Sequence, residues 1–319
     1  MLILLYFNLH YIYKIMLIQI NQKQIWSKIK FLYKSFIILI IICLIFFIYA
    51  FLKSNKFNKD EITLVTCLYQ IETNRHNFSD YLKWIDNLLQ INKPIVFYTQ
   101  PNLSNTLKSK RPKMFEEKTI WIEKDFSNLY SYIHYLKQFR ETYFIDKAKY
   151  KHTVDLYIIW SEKMNFLKES IQNNYFNTTY FFWVDAGLFR KKNMKKYINY
   201  WPSIHKIKKD PRVILNGIRE INKEELNNLM KFDPIFHAKF MNDPNVAAGF
   251  FGGSSYNILK FIKYYYEILE LFYEKNIFIG SEQNIYALIG KLHPEIATII
   301  KSGDYEFLIN YFIANKKWK

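Results

Sequence analysis

Residues Phe182-Trp183-Val184-Asp185-Ala186-Gly187 join an apolar run to an acid and then to a glycine. At the end of a buried strand, the Asp185 carboxylate reaches the lip of a sheet. There it can hold a hard divalent cation that bridges two phosphates. Gly187 permits a turn or a close backbone approach. Arg190, Lys191 and Lys192 follow directly and can clamp phosphate oxygens. The plainer alternative is that Asp185 only caps the next turn.

Two further clusters carry possible chemistry. Ala247 to Ser255 contains Gly249, Gly252 and Gly253, which with Gly187 make half of the chain's eight glycines. Small residues ahead of a helix let a polar ligand approach backbone N–H groups, although a tight turn capped by Ser254 or Ser255 accounts for the same pattern. The spacing matches neither a phosphate-binding P-loop nor a dinucleotide fingerprint. Gly280-Ser281-Glu282-Gln283-Asn284 opens another helix. Glu282 there can deprotonate or bind an acceptor hydroxyl; alternatively Ser281 caps the helix and Glu282 favours its positive end. Arg75 and Lys163 are candidate phosphate contacts, with solvated surface as the competing reading. The seven His form no metal-spaced pair, and no nucleophile elbow or His-Glu-x-x-His occurs.

The elements that must position these groups follow from periodicity. Ile62–Leu68, Pro94–Thr99, Thr119–Ile122 and Tyr180–Val184 read as strands, and 213–215 and 248–251 as weaker ones. Helical patterns cover 79–89, 128–139, 153–172, 254–273 and 282–290. Such alternation predicts an α/β sheet covered on both faces, with ligands bound outside the carboxyl ends of the strands. No Pro/Gly/Ser-rich linker divides 62–319, so one domain is expected there.

The chain has 319 residues, with 45 Lys plus Arg against 28 Asp plus Glu, a net charge of +17. Only six of the basic residues are Arg, and they are scattered, so the charge does not point to nucleic acid. With 50% hydrophobic residues the chain can bury a core. Two cysteines, Cys43 and Cys67, exclude a disulfide scaffold and a structural zinc module.

Residues 35–52 are uncharged and bounded by Lys34 and Lys53, long enough for an uncleaved membrane anchor. Five Lys and no acid precede the run, which favours a cytoplasmic N-terminus. The expected division is a basic tail at 1–34, an anchor at 35–52, a stem at 53–61 and a catalytic domain at 62–319. This is a type II single-pass arrangement. Asn77, Asn102 and Asn177 head Asn-x-Ser/Thr triplets, which permit a lumenal location.

In their order along the chain, ITLVTCLYQI with Arg75 after it, IVFYT, FFWVDAGLFR, AAGFFGGS and GSEQNIYALI resemble the HtrL/YibB family, also grouped as WlaTC/HtrL-type glycosyltransferases. The resemblance runs over about 62–300. It implies a GT-A-like fold (a mixed sheet flanked by helices), a nucleotide-sugar donor and a divalent cation, manganese or magnesium. Carried over, Asp185 is the metal or diphosphate ligand, and Glu282-Gln283 stands where the family usually has Asp-Gln; Glu282 is expected to orient or deprotonate the acceptor hydroxyl. Arg75, Trp183, Gly187, Arg190, Gly252, Gly253 and Gln283 fall in the donor pocket. The second acid of the usual Asp-x-Asp metal motif is Gly187 here, so the cation would need a single carboxylate or another ligand such as His293. The expectation is a glycosyltransferase in a Golgi or endoplasmic-reticulum lumen or in a cell envelope, with a glycan or glycolipid acceptor. The rival is a non-catalytic, membrane-tethered module that binds carbohydrate or protein.

Overall fold

The computed structural model describes residues 2–56, 61–72, 76–191, 198, 201–232, 246–301 and 312. The chain divides into two units, Met1–Lys59 and Asp60–Lys319.

The first unit is one continuous helix, α1 (Leu2–Lys56). Its stretch Lys30–Ile48 has 19 residues, a mean hydropathy of 2.8 and no buried part. Such a stretch is ~29 Å long at 1.5 Å per residue, long and apolar enough to cross a membrane. Phe31, Tyr33, Phe36, Phe46 and Phe47 are all exposed, so the stretch is apolar all round rather than striped for packing on protein. The window begins five residues before the expected span. The helix does not break at 34 or 52, so tail, anchor and the first stem residues are one element; positions 57–60 lie outside the described residues.

The second unit is a mixed α/β domain. Its seven strands are β1 (Ile62–Leu68), β2 (Ile95–Thr99), β3 (Thr119–Glu123), β4 (Tyr180–Val184), β5 (Val213–Gly217), β6 (Val246–Ser254) and β7 (Ala297–Lys301). They lie in the order β3-β2-β1-β4-β6-β5-β7. β6 is antiparallel to both β4 and β5, and the remaining pairs are parallel. The helices are α2 (Phe78–Leu88), α3 (Pro101–Lys108), α4 (Tyr130–Thr142), α5 (Val154–Asn173), α6 (Ile204–Lys209), α7 (Lys223–Met230), α8 (Ser255–Glu274) and α9 (Glu282–Leu292).

Both faces of the sheet are covered, which is why its central strands read as unbroken apolar runs rather than alternating ones. Side chains alternate along β4. Phe182 and Val184 enter a core with Ile85 and Leu88 of α2 and Leu103 and Leu107 of α3. Phe181 and Trp183 point the other way, and Trp183 stacks on Phe166 of α5 at 6.2 Å. That second core is aromatic: Phe166 also stacks on Tyr98 of β2, and Phe251 of β6 meets Tyr286 of α9 edge-on.

The winding sets where a ligand can enter. From β1 the chain steps outward through β2 to β3, then returns to place β4 on the other side of β1. The connections therefore leave the carboxyl ends of β1 and β4 in opposite directions and open a crevice between them. Asp185 is the first residue beyond β4.

Candidate functional site

A cavity of about 760 Å³ opens at this crevice. Its walls come from the end of β1, the turn after β4, the start of β6, α5 and the first turn of α9. A volume of this size lies within the range of small-molecule and cofactor sites.

Period-two geometry puts Trp183 and Asp185 on one face, and they touch: the indole Nε1–H donates to Asp185 Oδ1 at 2.6 Å. The backbone holds the acid in place, since Asp185 N–H donates to Gly249 O at 2.8 Å and Leu188 N–H to Asp185 O at 2.9 Å. Gly187 packs against Trp84: a Cβ there would stand 3.2 Å from the ring, which would have to yield by a few tenths of an ångström. Arg190 and Lys191 line the mouth, with the Arg190 guanidinium 5.8 Å from the centre of Trp84.

Lys163 of α5 comes between the two acids. Its ammonium lies 2.9 Å from Glu282 Oε1, 3.1 Å from Asp185 Oδ1 and 3.2 Å from Ala248 O. Lys163 is 2% exposed and Glu282 4%, whereas the Asp185 side chain is 40% exposed. The cluster thus has two sealed members and one that faces the cavity. Ser281 at the N-cap makes no side-chain capping bond, so Glu282 is fixed by Lys163 rather than by a capped turn. Glu162, the preceding residue of α5, turns away and accepts from the N–H groups of Tyr130 and Ser131 at the start of α4, while burial pushes its carboxyl up. Burial, and then the neighbouring Asp185 charge, push the Cys67 thiol up, so this cavity-lining sulfur is no ready nucleophile.

A further wall is the loop before α5. Asp146, 4% exposed, accepts from Ala148 N–H at 2.7 Å and from Tyr157 OH at 2.5 Å, and its Oδ2 is 2.9 Å from His152 Nδ1. His152 meets Trp160 edge-on at 5.0 Å. Asp146, His152, Trp160 and the loop lysines Lys147 and Lys151 all line the cavity.

A family model described as "Bacterial protein of unknown function (HtrL_YibB)" matches residues 60–314. The chain belongs to the HtrL/YibB family. Among curated proteins none matches it. The HtrL/YibB match spans every strand of the sheet and every cavity residue named above.

Six of the residues expected in the site line this HtrL/YibB cavity: Asp185, Glu282, Trp183, Gly187, Arg190 and Gln283. Arg75 lies outside the described residues. Gly252 and Gly253 do not line the cavity. They sit inside β6 opposite Phe182 and Phe181, where a Cβ would come within 2.4 Å of Phe181 O or 2.7 Å of Arg212 O. Their smallness serves strand packing, not a sugar, and Ser254 is the cap of α8, accepting from Asn257 N–H. Lys163, weighed as solvated surface, is instead the centre of the ion cluster. His293 stacks on Tyr264 at the far end of α9 and is not a cavity residue.

The donor set does not fit a protein-built cation site. Among the described residues no group of three His, Cys, Asp or Glu is arranged to hold a metal ion. Asp185 Oδ1 already receives an indole N–H and faces an ammonium, which repels a second cation. His152, Asp146 and Trp160 were not legible as site residues, because a Lys-rich loop with an acid and a histidine six apart has no distinctive spacing.

Proposed function

We propose that residues 60–319 form a GT-A-like glycosyltransferase that moves a sugar from a nucleoside-diphosphate donor to an acceptor hydroxyl. One observation carries this reading: the only substantially exposed acid of the Asp185–Lys163–Glu282 cluster stands at the crevice between β1 and β4, with Arg190 and Lys191 beside it. A mixed sheet whose antiparallel strand borders the Asp185 strand supports the GT-A-like assignment that the family resemblance implies.

Arg190 and Lys191 receive the diphosphate and offset the charge that develops on it as the glycosidic bond breaks. Asp185 accepts donor hydroxyls, oriented by the Trp183 N–H and neutralised by Lys163. Glu282 holds Lys163 and so acts through it, while Gln283 lines the same wall. No step is routed through a metal. The apolar stretch of α1 serves as the membrane anchor, in the type II sense, and a glycan or glycolipid is the acceptor.

The test uses the full-length protein in detergent with UDP-glucose, UDP-galactose, UDP-N-acetylglucosamine and GDP-mannose, reading release of the nucleoside diphosphate. Release by wild type and its loss in Asp185→Asn at unchanged melting temperature are expected. Absence of release from all four donors by wild type overturns the reading, whatever melting shift UDP or GDP produces. A binding module is the second reading, favoured by the internal neutralisation of the ion cluster. It predicts a melting shift with no release.

A further inference from the structure

The cavity is lined by five carboxylates and histidines, His76, Asp146, His152, Asp185 and Glu282; Asp185 is given to the donor above, and Glu282 and His152 differ in availability. Glu282 is 4% exposed and its Oε1 is occupied by Lys163 at 2.9 Å. His152 is more open, its side chain 17% exposed, and its ring meets the cavity. The Asp146 carboxylate, with three donors around it, takes the Nδ1 side of the ring. An ionised carboxylate on Nδ1 selects the tautomer with the proton there and leaves Nε2 as the acceptor. No protein partner of Nε2 is found among the described residues.

We infer that His152, oriented by Asp146, is the general base of the sugar transfer, with Trp160 as the apolar platform beside it. This rests on the transferase reading above. The placement suits the role. Trp160 lies about one turn before Lys163 on α5, ~4.5 Å of axial rise, so the platform beside the histidine and the cation of the Asp185 cluster are carried on adjoining turns of one helix, and all of them line the same cavity. In the step, the acceptor O–H proton goes to His152 Nε2 and the acceptor oxygen bonds the anomeric carbon. The bond from that carbon to the diphosphate oxygen breaks, and its electron pair leaves on the nucleoside diphosphate. The imidazolium formed is stabilised by Asp146 beside it, against the repulsion of Lys147 and Lys151 on the same loop. Asp146 is a positioning residue.

The test reads nucleoside-diphosphate release from the same four donors, with water as acceptor, by the full chain. His152→Ala is expected to slow release by ~10²-fold, the ordinary worth of a general base, with melting shifts by UDP or GDP unchanged. Millimolar imidazole is expected to restore much of the rate in His152→Ala and none in Asp146→Asn, which still fills the site with its own ring. His152→Gln, which keeps a donor for Asp146, repeats the measurement if the alanine variant unfolds. Release at the wild-type rate in a folded variant, or loss that imidazole does not relieve in His152→Ala, overturns the inference and leaves the transferase reading standing. Wild type that releases nothing from any donor overturns both.

Discussion

Among the described residues of this domain two cations are buried, Arg111 at 3% exposure and Lys163 at 2%, and they are used in opposite ways. No carboxylate among the described residues pairs with Arg111. Its guanidinium donates to the carbonyls of Leu89, Ile91 and Lys93 and to Thr119 Oγ1, tying the loop after α2 to the start of β3. Burial pushes its pKa down to about 10, still protonated at neutral pH, so the charge serves only to make strong hydrogen bonds. Lys163 meets two carboxylates and one carbonyl, and one of those carboxylates opens on a cavity. A buried cation among carbonyls is scaffold; the same burial between acids at a crevice leaves a polar group poised for a ligand.

The largest expected effect follows from removing the second cation. Lys163→Met strands the Glu282 charge, a loss of ~3–5 kcal/mol by urea unfolding, and abolishes donor release. Changing both sealed members, Lys163→Met with Glu282→Leu, is expected to recover most of that stability, because well-packed apolar side chains replace a buried pair at little cost. Donor release stays lost. Recovery of release in the double variant would show the two cations to be equivalent scaffold and would end the comparison.

Arg111→Met is expected to cost ~2–3 kcal/mol by leaving buried carbonyls without donors. Each molecule that remains folded keeps its wild-type melting shift with UDP or GDP. A lost shift would place Arg111 in the ligand site.

The smallest effect concerns the loop wall. Burial opposes ionisation of Asp146, but the His152, Tyr157 and Ala148 hydrogen bonds outweigh it and hold the carboxyl below its ordinary value. With the folded value depressed, the stabilisation is fully present above the unfolded value of ~3.9 and is lost as pH falls through the folded one. Hydrogen exchange of residues 146–152 should therefore rise below about pH 4 in wild type, and Asp146→Asn should flatten that dependence. An unchanged profile in the variant would detach the loop from this carboxylate.

Much of the architecture was readable because it is local. The apolar runs that became β1, β2, β4, β5 and β6 are buried on both faces, so each announces itself without its partners. β7 escaped although Ala297–Lys301 has the length and burial pattern of β3, and α3, α6 and α7 escaped because each has eight residues or fewer. The Trp183–Asp185 contact follows from strand period alone. Gly252 and Gly253 misled because a small residue inside a strand and one at a ligand pocket look alike in one dimension.

What the sequence by itself determined is the apolar length of the N-terminal helix, the strand that delivers Asp185 to a sheet edge and the family. Only the tertiary structure decided the partners of that acid. Lys163 stands in a Ser-Glu-Lys run that reads as solvated surface, yet α4, α8 and the sheet enclose α5 and leave the ammonium no water to face. Its charge had to be met by carboxylates from positions 22 and 119 residues away, Asp185 and Glu282. Electrostatic compensation acts through space, and separation along a chain carries no record of it.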